Sequence, residues 1–166
     1  MPVSRRGGEL LYTLTRAAKP HTVLEFGTSY GVSTLYLAAA VADNDLGHVY
    51  GTEMSVTKLQ AAQTSLTEAG LAEHATVLPG DALTTAQDLR PPIGLVLLDG
   101  WKELCLPLLR SIEPKLAPGA VVVADDITFP DMSDYLNYVR APANGYTTTA
   151  FPVDDGMELS CWTGCK

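Results

Sequence analysis

The chain contains two runs of apolar residues, LVLLDGWKE (95–103) and AVVVADDIT (120–128), that stop abruptly at carboxylates. Each run is too short to cross a membrane. Such runs read as strands buried on both faces, which confines the fold to a sheet with helices on either side. In open α/β sheets, ligands bind just beyond the carboxyl ends of the strands. Asp99, Lys102, Asp125 and Asp126 therefore mark a candidate reaction site. Three crowded carboxylates repel one another unless a cation or a proton compensates. An oxygen-rich cluster of this kind suits Mg²⁺ or a similar hard divalent ion.

The rest of the chain alternates in the same way. Helical spacing over 8–19 puts Leu10, Leu11, Leu14 and Ala17 on one face, and HTVLEFG (21–27) follows as a short buried strand. A small apolar helix over 32–42, a strand over 48–54 and a helix over 56–69 come next. Gly70 ends that helix. Strands are expected over 74–82, 92–100 and 119–127. The helix between the last two carries Leu104, Leu108, Leu109, Ile112 and Leu116 and stops at Pro118–Gly119. A helix around 131–140 and β-rich stretches over 146–153 and 156–164 complete the chain. Strand–helix alternation predicts a doubly wound, mostly parallel sheet, and two successive strands at the end predict a hairpin with one reversed strand.

The chain's 166 residues suffice for one domain, with no internal repeat or linker pattern. The net charge of −8 argues against a nucleic-acid surface, which would carry a basic stripe. No long apolar segment suggests a membrane span or a signal peptide. Cys105, Cys161 and Cys165 lack the spacing of a zinc site, and the expectation is reduced cysteines in a cytoplasmic protein. His21, His48 and His74 lie at or before strand starts, on the side opposite the expected site.

The segment Glu25-Phe26-Gly27-Thr28-Ser29-Tyr30-Gly31-Val32-Ser33 follows a strand and opens a helix. Gly27 and Gly31 let the backbone turn sharply and approach a ligand. Their spacing does not match the dinucleotide fingerprint, which disfavours a nicotinamide-dependent oxidoreductase. Glu53 ends the second strand 26 residues after Gly27, where a carboxylate can accept hydrogen bonds from ribose hydroxyls. Asp81 follows the third strand in PGDAL, where adenine is expected. A glycine turn alone is often only a turn. The ordered series of strand–glycine loop, strand–Glu and strand–GDA is what points to a nucleoside.

On these residues the chain resembles the class I S-adenosylmethionine-dependent methyltransferases, and within them the metal-dependent, catechol O-methyltransferase-like family. VLEFGTSYGVST, GTEM, LLDGWKE and ADDI carry the resemblance, which covers nearly the whole chain. It implies a Rossmann-like, seven-stranded methyltransferase domain over 1–166. It also implies S-adenosylmethionine as cofactor, with contacts from Val3, Glu25, Gly27, Ser29, Gly31, Ser33, Glu53, Met54, Asp81, Ala82, Asp99 and Trp101. Asp99, Asp125 and Asp126 are then the ligands of a divalent cation, with Asp126 where the family has Asn. Lys102 corresponds to the general base, Glu158 to a glutamate that hydrogen-bonds a catechol hydroxyl, and Trp101 to the tryptophan stacked on adenine. The acceptor implied is a small hydroxylated molecule of the catechol type.

Taken alone, each of these residues has a plainer reading. Lys102 can be a solvated lysine, Asp125–Asp126 a turn or helix cap, and Glu158 a strand residue facing water. Two adjacent aspartates share one ion only if the backbone turns sharply between them. The chain also starts almost directly at the first core helix, so the family's N-terminal lid helices are expected to be missing or supplied by a second subunit of a homodimer. The other readings are the same fold acting on a non-catechol acceptor, and a nucleoside-binding module without catalysis.

Overall fold

The computed structural model describes residues 2–164, so Cys165 lies outside the described residues. Seven strands form one sheet: β1 (Thr22–Phe26), β2 (His48–Glu53), β3 (Ala75–Pro79), β4 (Ile93–Leu98), β5 (Leu116–Ala124), β6 (Tyr146–Phe151) and β7 (Met157–Trp162). Their order is β3-β2-β1-β4-β5-β7-β6. The first five run parallel, and β7 lies antiparallel between β5 and β6. The hairpin therefore folds back so that its second strand, not its first, joins the parallel sheet.

Among the described residues, six α-helices cover the two faces. On one side α1 (Arg5–Ala18), α2 (Val32–Asn44) and α3 (Val56–Glu68) bury Leu11, Leu37, Val41 and Leu66 against Val23, Leu95, Leu97 and Val123. On the other, α4 (Ala82–Thr85), α5 (Cys105–Ile112) and α6 (Ser133–Arg140) bury Leu108, Leu109, Ile112 and Val139 against Leu24, Val96, Leu98 and Val122. Consecutive residues of β4 thus serve opposite cores, which is why that run carries no polar alternation. No described helix is long and apolar enough to cross a membrane.

The passage from α5 to β5 differs from the expectation. Leu116 does not end the helix; it opens β5, after a 3₁₀ turn over Glu113–Lys115. Pro114 sits in that turn, and Leu116 packs into the core as a strand residue. Pro118 and Gly119 fall within β5, opposite a register shift between Ile93 and Leu95, and form an irregularity in the strand rather than the end of a helix.

Candidate active site

Strands β1 and β4 are neighbours, but the chain continues from β1 outward to β2 and from β4 outward to β5. At this switch point lies a cavity of about 680 Å³, lined among others by Val3, Gly27, Ser29, Ser33, Glu53, Met54, Asp81, Ala82, Asp99, Trp101, Lys102 and Asp126. Most of the residues singled out in the sequence thus line one cavity. Gly27 has a φ of +95°, and a Cβ there would sit 2.6 Å from the carbonyl oxygen of Asp99, so only glycine fits between the β1 and β4 ends. The Glu53 carboxylate accepts hydrogen bonds from the backbone N–H groups of Ser29 (2.9 Å) and Ser55 (2.8 Å), which ties the β1 loop to the end of β2. Asp81 caps α4 by accepting from the N–H of Leu83. Met54 and Trp101, 64% and 65% exposed, stand at the cavity wall as uncovered apolar surfaces. Tyr30 of the glycine loop also lines it, with Pro2 and Lys58, to which no motif had pointed; the Lys58 ammonium lies 5.9 Å from the Tyr30 ring centre.

Glu25 requires a correction. It is fully buried and is absent from the cavity wall. Its carboxylate accepts hydrogen bonds from the hydroxyls of Ser33 (2.6 Å), Thr28 (2.8 Å) and Thr34 (2.5 Å). Burial pushes its pKa up, and the three hydroxyl donors only partly offset this. Glu25 therefore braces the glycine loop against the first turn of α2 from beneath. Hydroxyl residues at 28, 33 and 34 were the signal for this. Glu25→Ala leaves three hydroxyls without their acceptor and is expected to lower the melting temperature by on the order of 10 °C, since each orphaned buried group costs about 1–3 kcal/mol. A thermal melt of the variant checks this.

Asp99 extends β4, its N–H donating to the Phe26 carbonyl, and Asp125 extends β5, its N–H donating to that of Leu98. Register therefore puts the two carboxylates side by side. Asp126 has a φ of +58°, the sharp turn that adjacent ligands require, and its N–H donates to Asp125 Oδ1 at 2.9 Å. One carboxylate oxygen from each of Asp99, Asp125 and Asp126 lies within 4.8 Å of the others. The Lys102 ammonium sits 3.3 Å from Asp99 Oδ1 and 2.9 Å from Asp126 Oδ2. The chemistry of this donor set fits a hard divalent cation.

Charge at the cluster is unbalanced. Burial raises the Asp99 pKa to about 7; Lys102 opposes the rise and the neighbouring aspartates add to it. Burial likewise raises Asp125 to about 6. Burial alone would lower the Lys102 pKa, but the Asp126 hydrogen bond and the charges of Asp99 and Asp126 outweigh it and the net shift is upward. For the cation-free protein, carboxyls raised above their unfolded pKa confer stability that is complete at low pH and is lost as pH rises to about 7. The melting temperature in EDTA is therefore expected to fall by on the order of 5 °C between pH 5.5 and 8, and by less in Asp99→Asn. Paired thermal melts test this.

Glu158 is the second correction. It is 1% exposed on β7 and faces the α6 side, where Arg140 grips both its oxygens (2.9 and 2.7 Å) and Thr148 donates a third bond at 2.8 Å. Its pKa falls: burial pushes it up, but the Arg140 and Thr148 bonds outweigh that. It does not line the cavity. An arginine reaching across from α6 leaves no sign in the strand pattern. Cys105 is buried and Cys161 exposed, both as free thiols. His48 bonds Thr76 at the opposite end of the sheet.

Comparison with known proteins gives this geometry a family. Residues 24–127 match the methyltransferase domain family. Catechol O-methyltransferase of Sus scrofa is 28% identical over 99% of this chain and 94% of its own length. The catechol O-methyltransferase of Mycobacterium tuberculosis is 32% identical over 75% of this chain but only 56% of its own. The O-methyltransferase TomG of Streptomyces achromogenes, solved in complex with S-adenosylmethionine, superposes with a TM-score of 0.86 at 26% identity, covering 98% of this chain and 82% of that one. The chain belongs to the S-adenosylmethionine-dependent O-methyltransferases, in the catechol O-methyltransferase-like family.

Proposed function

We infer that the protein transfers the methyl group of S-adenosylmethionine to a hydroxyl of a small catechol-like acceptor, with Lys102 as the base and a divalent cation held by Asp99, Asp125 and Asp126. The observation that carries this reading is the meeting of three carboxylates and Lys102 at the switch point: Asp99, Asp126 and Lys102 line the cavity, and Asp125 is buried beside them. The glycine loop and Glu53 shape one end of that cavity, suited to the nucleoside, and the carboxylate cluster forms the other.

A phenol with a pKa of about 10 is mostly protonated at neutral pH, so its oxygen must lose a proton to become a good nucleophile. A bound divalent cation would stabilise the oxyanion and favour the neutral amine of Lys102 by balancing the carboxylates. Lys102 then accepts the hydroxyl proton at Nζ. The O–CH₃ bond forms as the C–S bond breaks, and the sulfonium leaves as a neutral thioether. Trp101 and Met54 present flat or flexible apolar surfaces for the adenine.

One observation favours a wider acceptor range. Glu158 is committed to Arg140, so the second oxygen of a vicinal diol has no carboxylate partner from that position. Acceptors with a single phenolic hydroxyl then lose less than they would at a site that reads both. Methylation assays across catechols and simple phenols, with Mg²⁺ and with EDTA, test the reading. Catechol turnover that disappears in EDTA supports it; undiminished turnover in EDTA removes the cation from the account.

A further inference from the structure

We propose that Asp154 is a positioning residue for S-adenosylmethionine, acting as a clamp that holds the segment Pro2–Ser4 against the cofactor cavity. The proposal rests on the reading of that cavity as the S-adenosylmethionine site. Pro2 and Val3 line the cavity, and Val3 is only 7% exposed. The segment is held from a distant part of the chain. Asp154, in the turn between β6 and β7, accepts a hydrogen bond from the Ser4 N–H at 3.0 Å. Ser4 in turn caps α1, its Oγ accepting from the N–H of Gly7. A Cβ on Gly7 would lie 2.8 Å from Asp154 Oδ2, so the first turn of α1 presses directly against the carboxylate.

The same turn is fastened to the carboxylate end of the cavity. Ile127 N–H donates to the Gly156 carbonyl (3.1 Å) and Thr128 N–H to that of Asp155 (3.3 Å). The turn over 154–156 thus joins the segment carrying Val3 to the segment that follows Asp126. Asp154 touches neither the glycine loop nor Lys102 through any described hydrogen bond or ion pair. The Asp154 charge also reaches Asp125, but Asp154→Gly and Asp154→Asn both remove that charge, so a difference between the two variants isolates the hydrogen bond.

Asp154 has a φ of +53°, which dictates the choice of variants. Alanine would add backbone strain, whereas glycine and asparagine both tolerate this region. Asp154→Gly removes the acceptor, and Asp154→Asn keeps one. Calorimetric titration of S-adenosylmethionine into the full chain without metal, together with steady-state kinetics, tests the proposal. Asp154→Gly is expected to bind about tenfold more weakly, as loss of one hydrogen bond to a charged group implies, with kcat at saturating cofactor within about twofold of wild type. Asp154→Asn should stay within about twofold in both. Unchanged affinity in Asp154→Gly, or equal losses in the two variants, overturns the clamp. A matching fall in kcat and melting temperature makes the residue merely structural and overturns it too. Failure of the wild type itself to bind defeats the reading of the cavity instead.

Discussion

Lys102→Ala lowers kcat by about 10²–10⁴-fold, the usual contribution of a positioned general base, while the dissociation constant for S-adenosylmethionine stays within about twofold. The side chain is largely buried, and its ammonium lies between Asp99 and Asp126 rather than at the glycine loop or Glu53. Loss of the amine thus removes the proton acceptor and leaves the nucleoside end of the cavity intact. Lys102→Arg separates two roles. Arginine retains the positive charge among the carboxylates but is not deprotonated in proteins, so it should be as inactive as alanine if the residue is a base. If Lys102 only balanced charge, arginine would restore much of the activity. Single-turnover kinetics with a catechol acceptor, alongside calorimetric cofactor binding, distinguish these outcomes. Equal loss of turnover and cofactor affinity in Lys102→Ala would point to a structural lysine.

Asp125→Ala is expected to reduce cation-dependent turnover on the order of 10³-fold, because stabilising an oxyanion by a bound cation is worth several kcal/mol. Asp125 is buried beside Asp99 and has few partners to replace its oxygen. Asp126→Asn should behave differently. Asparagine keeps an oxygen ligand and tolerates a φ of +58° at that position. Its expected effect is a weaker cation affinity with kcat near wild type at saturating Mg²⁺. Mg²⁺ titration of turnover in both variants measures the contrast. Comparable losses in the two would mean that the charge of Asp126, and not only its oxygen, is required.

The strands and their ends were legible because burial on both faces leaves an unmistakable mark, an apolar run cut off by charge. Asp99, Asp125 and Asp126 could be assigned to one sheet edge on that basis alone. Their convergence depends on parallel register between β4 and β5 and on the left-handed turn at Asp126. A double aspartate permits such a turn without requiring it. Residues whose roles depend on a distant side chain were not legible. Glu158 alternates correctly for β7, but period-two spacing cannot reveal that Arg140 reaches it from α6. Glu25 sits on β1 in a motif that reads as ligand-binding, yet its carboxylate turns inward to three hydroxyls. The order of β6 and β7 was hidden for a related reason. Either strand of a hairpin can join a sheet edge, and packing with β5 selects β7.

Crystals soaked with S-adenosylmethionine and Mn²⁺ test the central claim most directly, because manganese scatters anomalously and substitutes for magnesium at oxygen sites. An anomalous peak is expected at coordinating distance, about 2.1 Å, from oxygens of Asp99, Asp125 and Asp126, with the cofactor in the same cavity and its adenosine beside Glu53. Bound cofactor with no peak between those carboxylates at saturating Mn²⁺ would contradict it.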